Sequence, residues 1–234
     1  MNKLFLIPNS IGDNISGVIA TFGLDAVKDL HLFFVEEPKS ARRLLKSLWP
    51  DFHLQECSWF DLNEHTLPGK ISKYAKLIEK NDSGIISEAG CPCVADPGSA
   101  LVRMAHEQGI EIIPLIGPSS ILLALMASGL NGQNFAFNGY LPKDNHERAA
   151  KIKFLEKRSA LEWQTQIFME TPYRNQSIFD DLLIHLDAGT LLCMAWDITG
   201  QEQSIMLKTI KEWRKSNIQL PRKPALFIIN HHKS

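Results

Sequence analysis

Short runs of uninterrupted apolar residues alternate with amphipathic stretches along this chain. Leu4 to Pro8 (LFLIP) is apolar at successive positions, which predicts a first strand buried on both faces. The loop Asn9 to Asp13 follows, then a helix-like stretch toward Phe22. Leu30 to Val35 (LHLFFV) predicts a second strand that ends at Glu36-Glu37-Pro38. Ser40 is expected to cap a basic helix containing Arg42, Arg43 and Lys46. Ile71 to Lys80 has helical periodicity, and Gly84 to Ile86 is a short strand. Gly98 to Gln108 is a further helix, closed by Gly109. Ile110 to Ile116 is a strand, and Ser119 or Ser120 caps an apolar helix that stops at Gly129.

The character changes after Gly129, where Asn131-Gly132 signals a turn. Strands are expected at Phe135 to Tyr140, Thr165 to Met169, Leu191 to Trp196, Ser204 to Leu207 and Leu226 to Ile229. Helices are expected from Asn145 to about Arg158, from about Gln176 to Leu186, and around Glu212. Strand and helix alternate throughout, so the class is α/β. The first half reads as a mostly parallel, doubly wound sheet with helices on both faces. The second half ends in strands with little helix between them, so a mixed sheet is expected there. The boundary falls near Pro114 to Pro118, giving domains 1–116 and 117–234.

Composition narrows the function classes. The chain has 234 residues, 44% of them apolar and 22% charged, with a net charge of −1. No bulk field draws such a molecule to nucleic acid or membrane, so any RNA contact must use a local basic patch. The longest apolar run, around Ile121 to Met126, is far too short to cross a bilayer, and no membrane partner is expected. Cys57, Cys91, Cys93 and Cys193 are scattered, and because Leu4 to Ile7 reads as a strand, no signal peptide is expected. Reduced thiols and a cytoplasmic location are the expectation.

Two strand-to-loop junctions carry candidate chemistry. Asp82 to Gly98 (DSGIISEAGCPCVADPG) runs from a short strand into Gly, Ala, Pro and Cys, small residues that let a ligand touch the backbone. A second junction follows at Ile112 to Ser120 (IIPLIGPSS). Two such junctions in an α/β chain point to a small-molecule site at the carboxyl ends of parallel strands.

The segments LFLIPNSIGD, ISEAGCPCVADPG, LIGPSSILLALMASGL, FNGYLP and FMETPYR occur in this order from Leu4 to about Ile229. Together they resemble the tetrapyrrole methylase superfamily of S-adenosylmethionine-dependent methyltransferases. Within it they are most similar to the ribosomal RNA small-subunit methyltransferase I group, which methylates a cytidine ribose 2′-oxygen. The resemblance implies the two-domain tetrapyrrole methylase fold, S-adenosylmethionine in the cleft between the domains, an RNA substrate in the small ribosomal subunit, and a homodimer. It implies a cofactor loop with Pro8 and Gly12, a second with Ser87, Ala89, Gly90, Cys91 and Val94, and a third with Ser119 and Ser120. Met169, Pro224 and Ala225 match positions that contact the adenosine.

The chain departs from that group at several places. Asn9-Ser10-Ile11-Gly12-Asp13 stands where the group has Thr-Pro-Ile-Gly-Asn. Glu36-Glu37-Pro38-Lys39 stands for Glu-Asp-Thr-Arg, and Thr171-Pro172-Tyr173-Arg174 for Ser-Pro-His-Arg. Trp196-Asp197-Ile198-Thr199-Gly200 replaces an Arg-Glu-Leu-Thr-Lys stretch. Two rivals to the RNA reading are carried forward: a superfamily methyltransferase acting on a tetrapyrrole or other small metabolite, and a non-catalytic ligand- or RNA-binding module.

Methyl transfer is an in-line displacement that needs aligned reactants and removal of one acceptor proton. Glu37, Glu88 and Glu170 are the candidate bases for a ribose hydroxyl, and Glu88 is preferred because it sits on the ligand loop. Asp96 is expected either to anchor that loop or to cap the following helix. Arg42, Arg43 and Arg174 are the substrate candidates, since Arg pairs bidentately with phosphate. A second basic stretch (Lys143, Arg148, Lys151, Lys153, Lys157, Arg158) reads as an RNA contact or a solvated helix. Cys91-Pro92-Cys93 lacks the usual zinc spacing, and no metal is expected. His146, His231 and His232 read as surface residues. The five tryptophans read as core or dimer contacts.

Overall fold

In the computed structural model, strand β1 (Lys3–Ile7) sends Phe5 and Ile7 to one side of a sheet and Leu4 and Leu6 to the other. Strand β2 (Leu32–Val35) does the same with Phe33 and Val35 against Leu32 and Phe34. β2 is therefore apolar at every position and β1 at every position after Lys3, as burial on two faces demands. The structure describes residues 2–12 and 24–231. The helix expected toward Phe22, Asp13 and His232 lie outside the described residues. The chain divides into two units, Met1–Ser119 and Ser120–Ser234.

In the first unit the sheet order is β3-β2-β4-β1-β5, with every pairing parallel. Here β3 is Ser58–Asp61, β4 is Ser83–Ile86 and β5 is Glu111–Pro114. Helices α1 (Asp25–Lys28) and α2 (Pro38–Leu48) cover one face through Val27, Leu44 and Leu45. Helices α3 (Pro68–Ile78) and α4 (Ser99–Glu107) cover the other through Ile71, Ile78, Leu101 and Ala105. Because β1 lies between β4 and β5, the loops leaving these three carboxyl ends are neighbours. This is the feature that positions the site.

Two local expectations are corrected. Glu37, not Ser40, caps α2: its carboxylate accepts from the Ser40 amide at 2.7 Å, with Pro38 in the first turn. Asp96 does not cap α4, whose cap position is Gly98 at φ +126° with no side-chain bond. Gly109 does stop α4, at φ +69°, with the Ile110 amide reaching back to the Ala105 carbonyl at 2.9 Å. Strand β3 (SWFD) has no apolar run to announce it.

In the second unit the order is β6-β7-β10-β8-β9. The strands are β6 (Phe135–Tyr140), β7 (Thr165–Glu170), β8 (Leu191–Trp196), β9 (Ser204–Thr209) and β10 (Ala225–Asn230). β6 and β7 are parallel, while β7, β10, β8 and β9 pair antiparallel, so the sheet is mixed as expected. Phe168, Phe227 and Met194 pack with helices α6 (Asn145–Glu162), α7 (Asn175–His185) and α8 (Ile210–Trp213). Ile167, Ile228 and Cys193 pack on the other face with α5 (Ser120–Ser128). Arg148 departs from the solvated run around it. It is 4% exposed, donates to Asp181 at 2.5 Å, and holds the Pro142 and Lys143 carbonyls, so burial of its charge is matched by partners.

Candidate functional site

The loops after β1 and β4 are joined through one residue, Asn9. It is 2% exposed, and its backbone exchanges two hydrogen bonds with Gly90, at 2.8 and 3.1 Å. Its side-chain nitrogen donates to the Ser40 hydroxyl (2.8 Å), the Ser87 carbonyl (3.1 Å) and the Glu88 carbonyl (3.0 Å). Its side-chain oxygen accepts from the Ser10 amide at 2.8 Å. The Ser40 hydroxyl donates onward to the Glu88 carbonyl at 3.1 Å. Asn9 thus ties the first loop, the start of α2 and the second loop together. Sequence reasoning gave it no role, because an Asn after a strand is an ordinary turn residue.

The second loop is closed from within and braced by the third. Ser87 is buried, and its hydroxyl donates to the Gly90 carbonyl at 2.8 Å. Gly90 takes φ +71°, a conformation that strains any side-chain-bearing residue. The Cys91 thiol donates to the Pro118 carbonyl at 3.2 Å. Pro8 packs so closely on Gly117 that a β-carbon there would stand 2.2 Å from the proline ring. Pro8, Ser87, Gly90 and Cys91 therefore lie together in one knot of loops. Gly12 lies in the first loop and Ser119 at the end of the third. Ala89 and Val94 face solvent. Among the described residues, the amides of Ala89 and Cys91 have no hydrogen-bond acceptor.

Negative charge collects beside this knot. The Glu88 amide donates to the Glu36 carboxylate at 3.1 Å. Burial, then the charges of Glu36 and Glu88, push the Asp96 carboxyl up to about 7. Burial, then Asp96, push the Cys93 thiol up to about 11 and also raise Cys91. Both cysteines are therefore neutral packing groups rather than nucleophiles at neutral pH. Free amides favour a carboxylate, and three nearby acids favour positive charge. That donor set suits a zwitterion with a second cation, as in S-adenosylmethionine with its ammonium and sulfonium.

Arg42 and Arg43 are exposed on α2, with the Arg42 guanidinium 5.2 Å from the Trp59 ring centroid. Ser120 opens α5 in the second unit. There Leu226 pairs with Met169, and Ala225 with Glu170, across β10 and β7, so Met169 and Ala225 sit on neighbouring strands with their side chains on opposite faces of the sheet, and Pro224 is exposed. Arg174 is turned into its own unit: it donates to the Leu141 and Pro142 carbonyls and pairs with the buried Glu170 at 3.3 Å. Glu170 also accepts from the Thr171 amide, and Glu37 is spent on its helix. Among the described residues, the Glu88 carboxylate has no hydrogen-bond or ion-pair partner. His231 is not a surface residue: its side chain is 16% exposed and lies 2.7 Å from the Thr190 hydroxyl. With Glu156 and Asp187 it forms a group that could reach a metal ion, but Glu156 already accepts from the Asp187 amide and the Thr190 hydroxyl. Among the described residues, no helix is long and apolar enough to cross a membrane.

No family model matches the chain. Curated relatives do. The chain is 28% identical, over 99% of its length and 79% of the relative's, to "Ribosomal RNA small subunit methyltransferase I" of Escherichia coli O157:H7. It is 30% identical to the protein of that name from Vibrio cholerae, over 86% of this chain and 67% of the relative. The Halalkalibacterium halodurans protein of that name is 31% identical, over 89% and 68%. Among solved structures, the methyltransferase CobJ aligns with a TM-score of 0.63 at 15% identity, covering 97% of this chain and 94% of that one. Uroporphyrin-III-C-methyltransferase from Thermus thermophilus aligns at 0.55 and 14% identity, covering 98% and 94%. At such identities these two likenesses establish the fold alone.

Proposed function

Because this chain belongs to the ribosomal RNA small subunit methyltransferase I family, we propose that it transfers a methyl group from S-adenosylmethionine to RNA of the small ribosomal subunit, with a cytidine ribose 2′-oxygen as acceptor. The observation that carries this reading is similarity along nearly the whole chain, 99% of it against the Escherichia coli relative. The backbone-lined knot at the carboxyl ends of β1, β4 and β5 supports it. A tetrapyrrole acceptor rests on fold likeness alone, at 14% and 15% identity.

In this reading the amides of Ala89 and Cys91 hold the methionine carboxylate, and Glu36, Glu88 and Asp96 face its positive groups. Pro8, Gly12, Ser87, Gly90, Val94, Ser119 and Ser120 shape the remaining contacts. Met169, Pro224 and Ala225 contact the adenosine. When bound, S-adenosylmethionine supplies a methyl carbon made electrophilic by its sulfonium. Glu88 takes the proton of the ribose hydroxyl as the oxygen–carbon bond forms and the carbon–sulfur bond breaks. Arg42 and Arg43 take RNA phosphates. The molecule works in the cytoplasm as a homodimer, with Met126 of α5 and Leu207 of β9 among the exposed apolar side chains available to a second copy.

Two measurements test the reading. Titration calorimetry should show S-adenosylmethionine binding to the isolated protein; no binding would return the chain to the non-catalytic alternative. Labelled methyl should then move to isolated small ribosomal subunits and not to tetrapyrroles. The opposite preference would make the acceptor a small metabolite.

A further inference from the structure

Tyr173 is 84% exposed, although it lies between two residues fixed in the framework. The turn that carries it is closed by the Arg174 amide donating to the Thr171 carbonyl at 3.0 Å, with Pro172 as its first central residue. Thr171 is held by Glu170, through its amide at 2.7 Å and its hydroxyl at 3.2 Å. Arg174 is held by the Leu141 and Pro142 carbonyls. A second loop, Pro221 to Lys223, meets this turn. Asn175, 1% exposed, donates to the Pro221 carbonyl at 3.3 Å and the Lys223 carbonyl at 2.7 Å. That loop places the Arg222 guanidinium 5.9 Å from the Tyr173 ring centroid.

An exposed tyrosine by itself is ordinary surface. Here a ring and a guanidinium stand out into solvent from two turns that are each pinned by buried polar side chains. Such a pair loses little conformational freedom when it is covered, which is what a recognition platform needs. The surrounding charge selects the ligand. Among the described residues, Arg222 has no carboxylate partner, and Arg174, next to the tyrosine in the chain, pairs with buried Glu170. Lys223 is shared between Asp197 at 3.7 Å and Glu202 at 3.9 Å. Helix α7, eleven residues long, begins at Asn175, two residues after the tyrosine, with no side-chain cap, so its positive end adds to the charge near this turn. A flat apolar face next to unbalanced positive charge fits an unstacked base with its phosphate better than it fits a protein side chain.

We infer that Tyr173 and Arg222 form a stacking platform for an unpaired nucleotide of the RNA substrate, the base on the open face of the ring and the adjoining phosphate on the guanidinium. This rests on the proposed RNA substrate and adds residues that recognise it.

The test uses the full chain and a labelled single-stranded RNA oligonucleotide, read by fluorescence anisotropy across a salt series. Tyr173→Ala should weaken binding about tenfold, and Tyr173→Phe should bind like the native protein, because the face and not the hydroxyl is used. Arg222→Ala should weaken binding several-fold and reduce the salt slope by about one. S-adenosylmethionine affinity, measured by calorimetry, should be unchanged in all three, which shows that they are folded. Native-like RNA binding by Tyr173→Ala would overturn the platform. If the native protein transfers methyl to small-subunit RNA and Tyr173→Ala does so with an unchanged KM, the platform fails while the methyltransferase reading stands. Tyr173-dependent RNA binding in a protein that transfers no methyl would support the platform and remove that reading.

Discussion

Asn9→Ala tests whether the first two loops are built as described. The substitution leaves the two backbone bonds to Gly90 in place and removes only the side-chain clamp. The amide nitrogen has two hydrogens and three acceptors, Ser40, Ser87 and Glu88, so it contributes two full donor bonds. The amide oxygen contributes a third bond, to Ser10. At about 1 kcal/mol each, the three are worth about 3 kcal/mol. Water can reach the Ser40 and Glu88 edge and recover part of this, so a loss of about 2–3 kcal/mol is expected. Urea denaturation measures it. S-adenosylmethionine binding should weaken by more than the native population falls, because the amides of Ala89 and Cys91 sit on the loop that the clamp holds. Asn9→Asp should be worse still, since its carboxylate would face the Ser87 and Glu88 carbonyls. A stability within about 0.5 kcal/mol of the native protein, together with unchanged ligand affinity, would refute the clamp.

Asp96→Asn should stabilise the protein at pH 8 and not at pH 4. A carboxyl raised from 3.8 to about 7 holds its proton in the folded chain but not in the unfolded one between those values. Native stability therefore falls as pH rises through that window and levels off above it. The ceiling is about 4 kcal/mol, and screening at a half-buried side chain leaves about 1–2 kcal/mol. Thermal melts from pH 4 to 8 would contradict this if the variant kept the native profile. Gly117→Ala drives a β-carbon into Pro8, so it should cost about 1–3 kcal/mol and weaken ligand binding; a neutral melt would show that the first and third loops are not packed together. Arg148→Met leaves Asp181 and two carbonyls without their donor and should cost about 3 kcal/mol by chemical denaturation, whereas the same change at Lys153 on the solvent side of α6 should be silent.

Which parts of this molecule could be foreseen depends on the range of the forces that make them. β2 and β10 are apolar on both faces, so runs of four and five consecutive apolar residues betray them. β3 runs Ser-Trp-Phe-Asp along the sheet edge, and its pattern matches a loop as well as a strand. Ser40 and Glu37 are both competent caps; Pro38, fixed in the first turn, decides for Glu37, and Ser40 is left to hold Glu88. The small-residue loops were legible because a bare backbone is written in the residue types themselves. Asn9 was not, because its partners lie 31, 78 and 79 residues away and exist only once β4 has been laid beside β1. Arg148 looks like its solvated neighbours, since nothing in the sequence near it shows that Asp181 waits on α7.

The most direct trial of the central claim is a digest of the product RNA. Small ribosomal subunits lacking the modification are incubated with the protein and S-adenosylmethionine labelled in its methyl group, and their RNA is then hydrolysed in alkali. A methyl on a ribose 2′-oxygen blocks cleavage at that nucleotide, so the label should emerge in a single alkali-resistant dinucleotide that begins with cytidine. Label recovered only in mononucleotides, or no label in the RNA, would contradict the account.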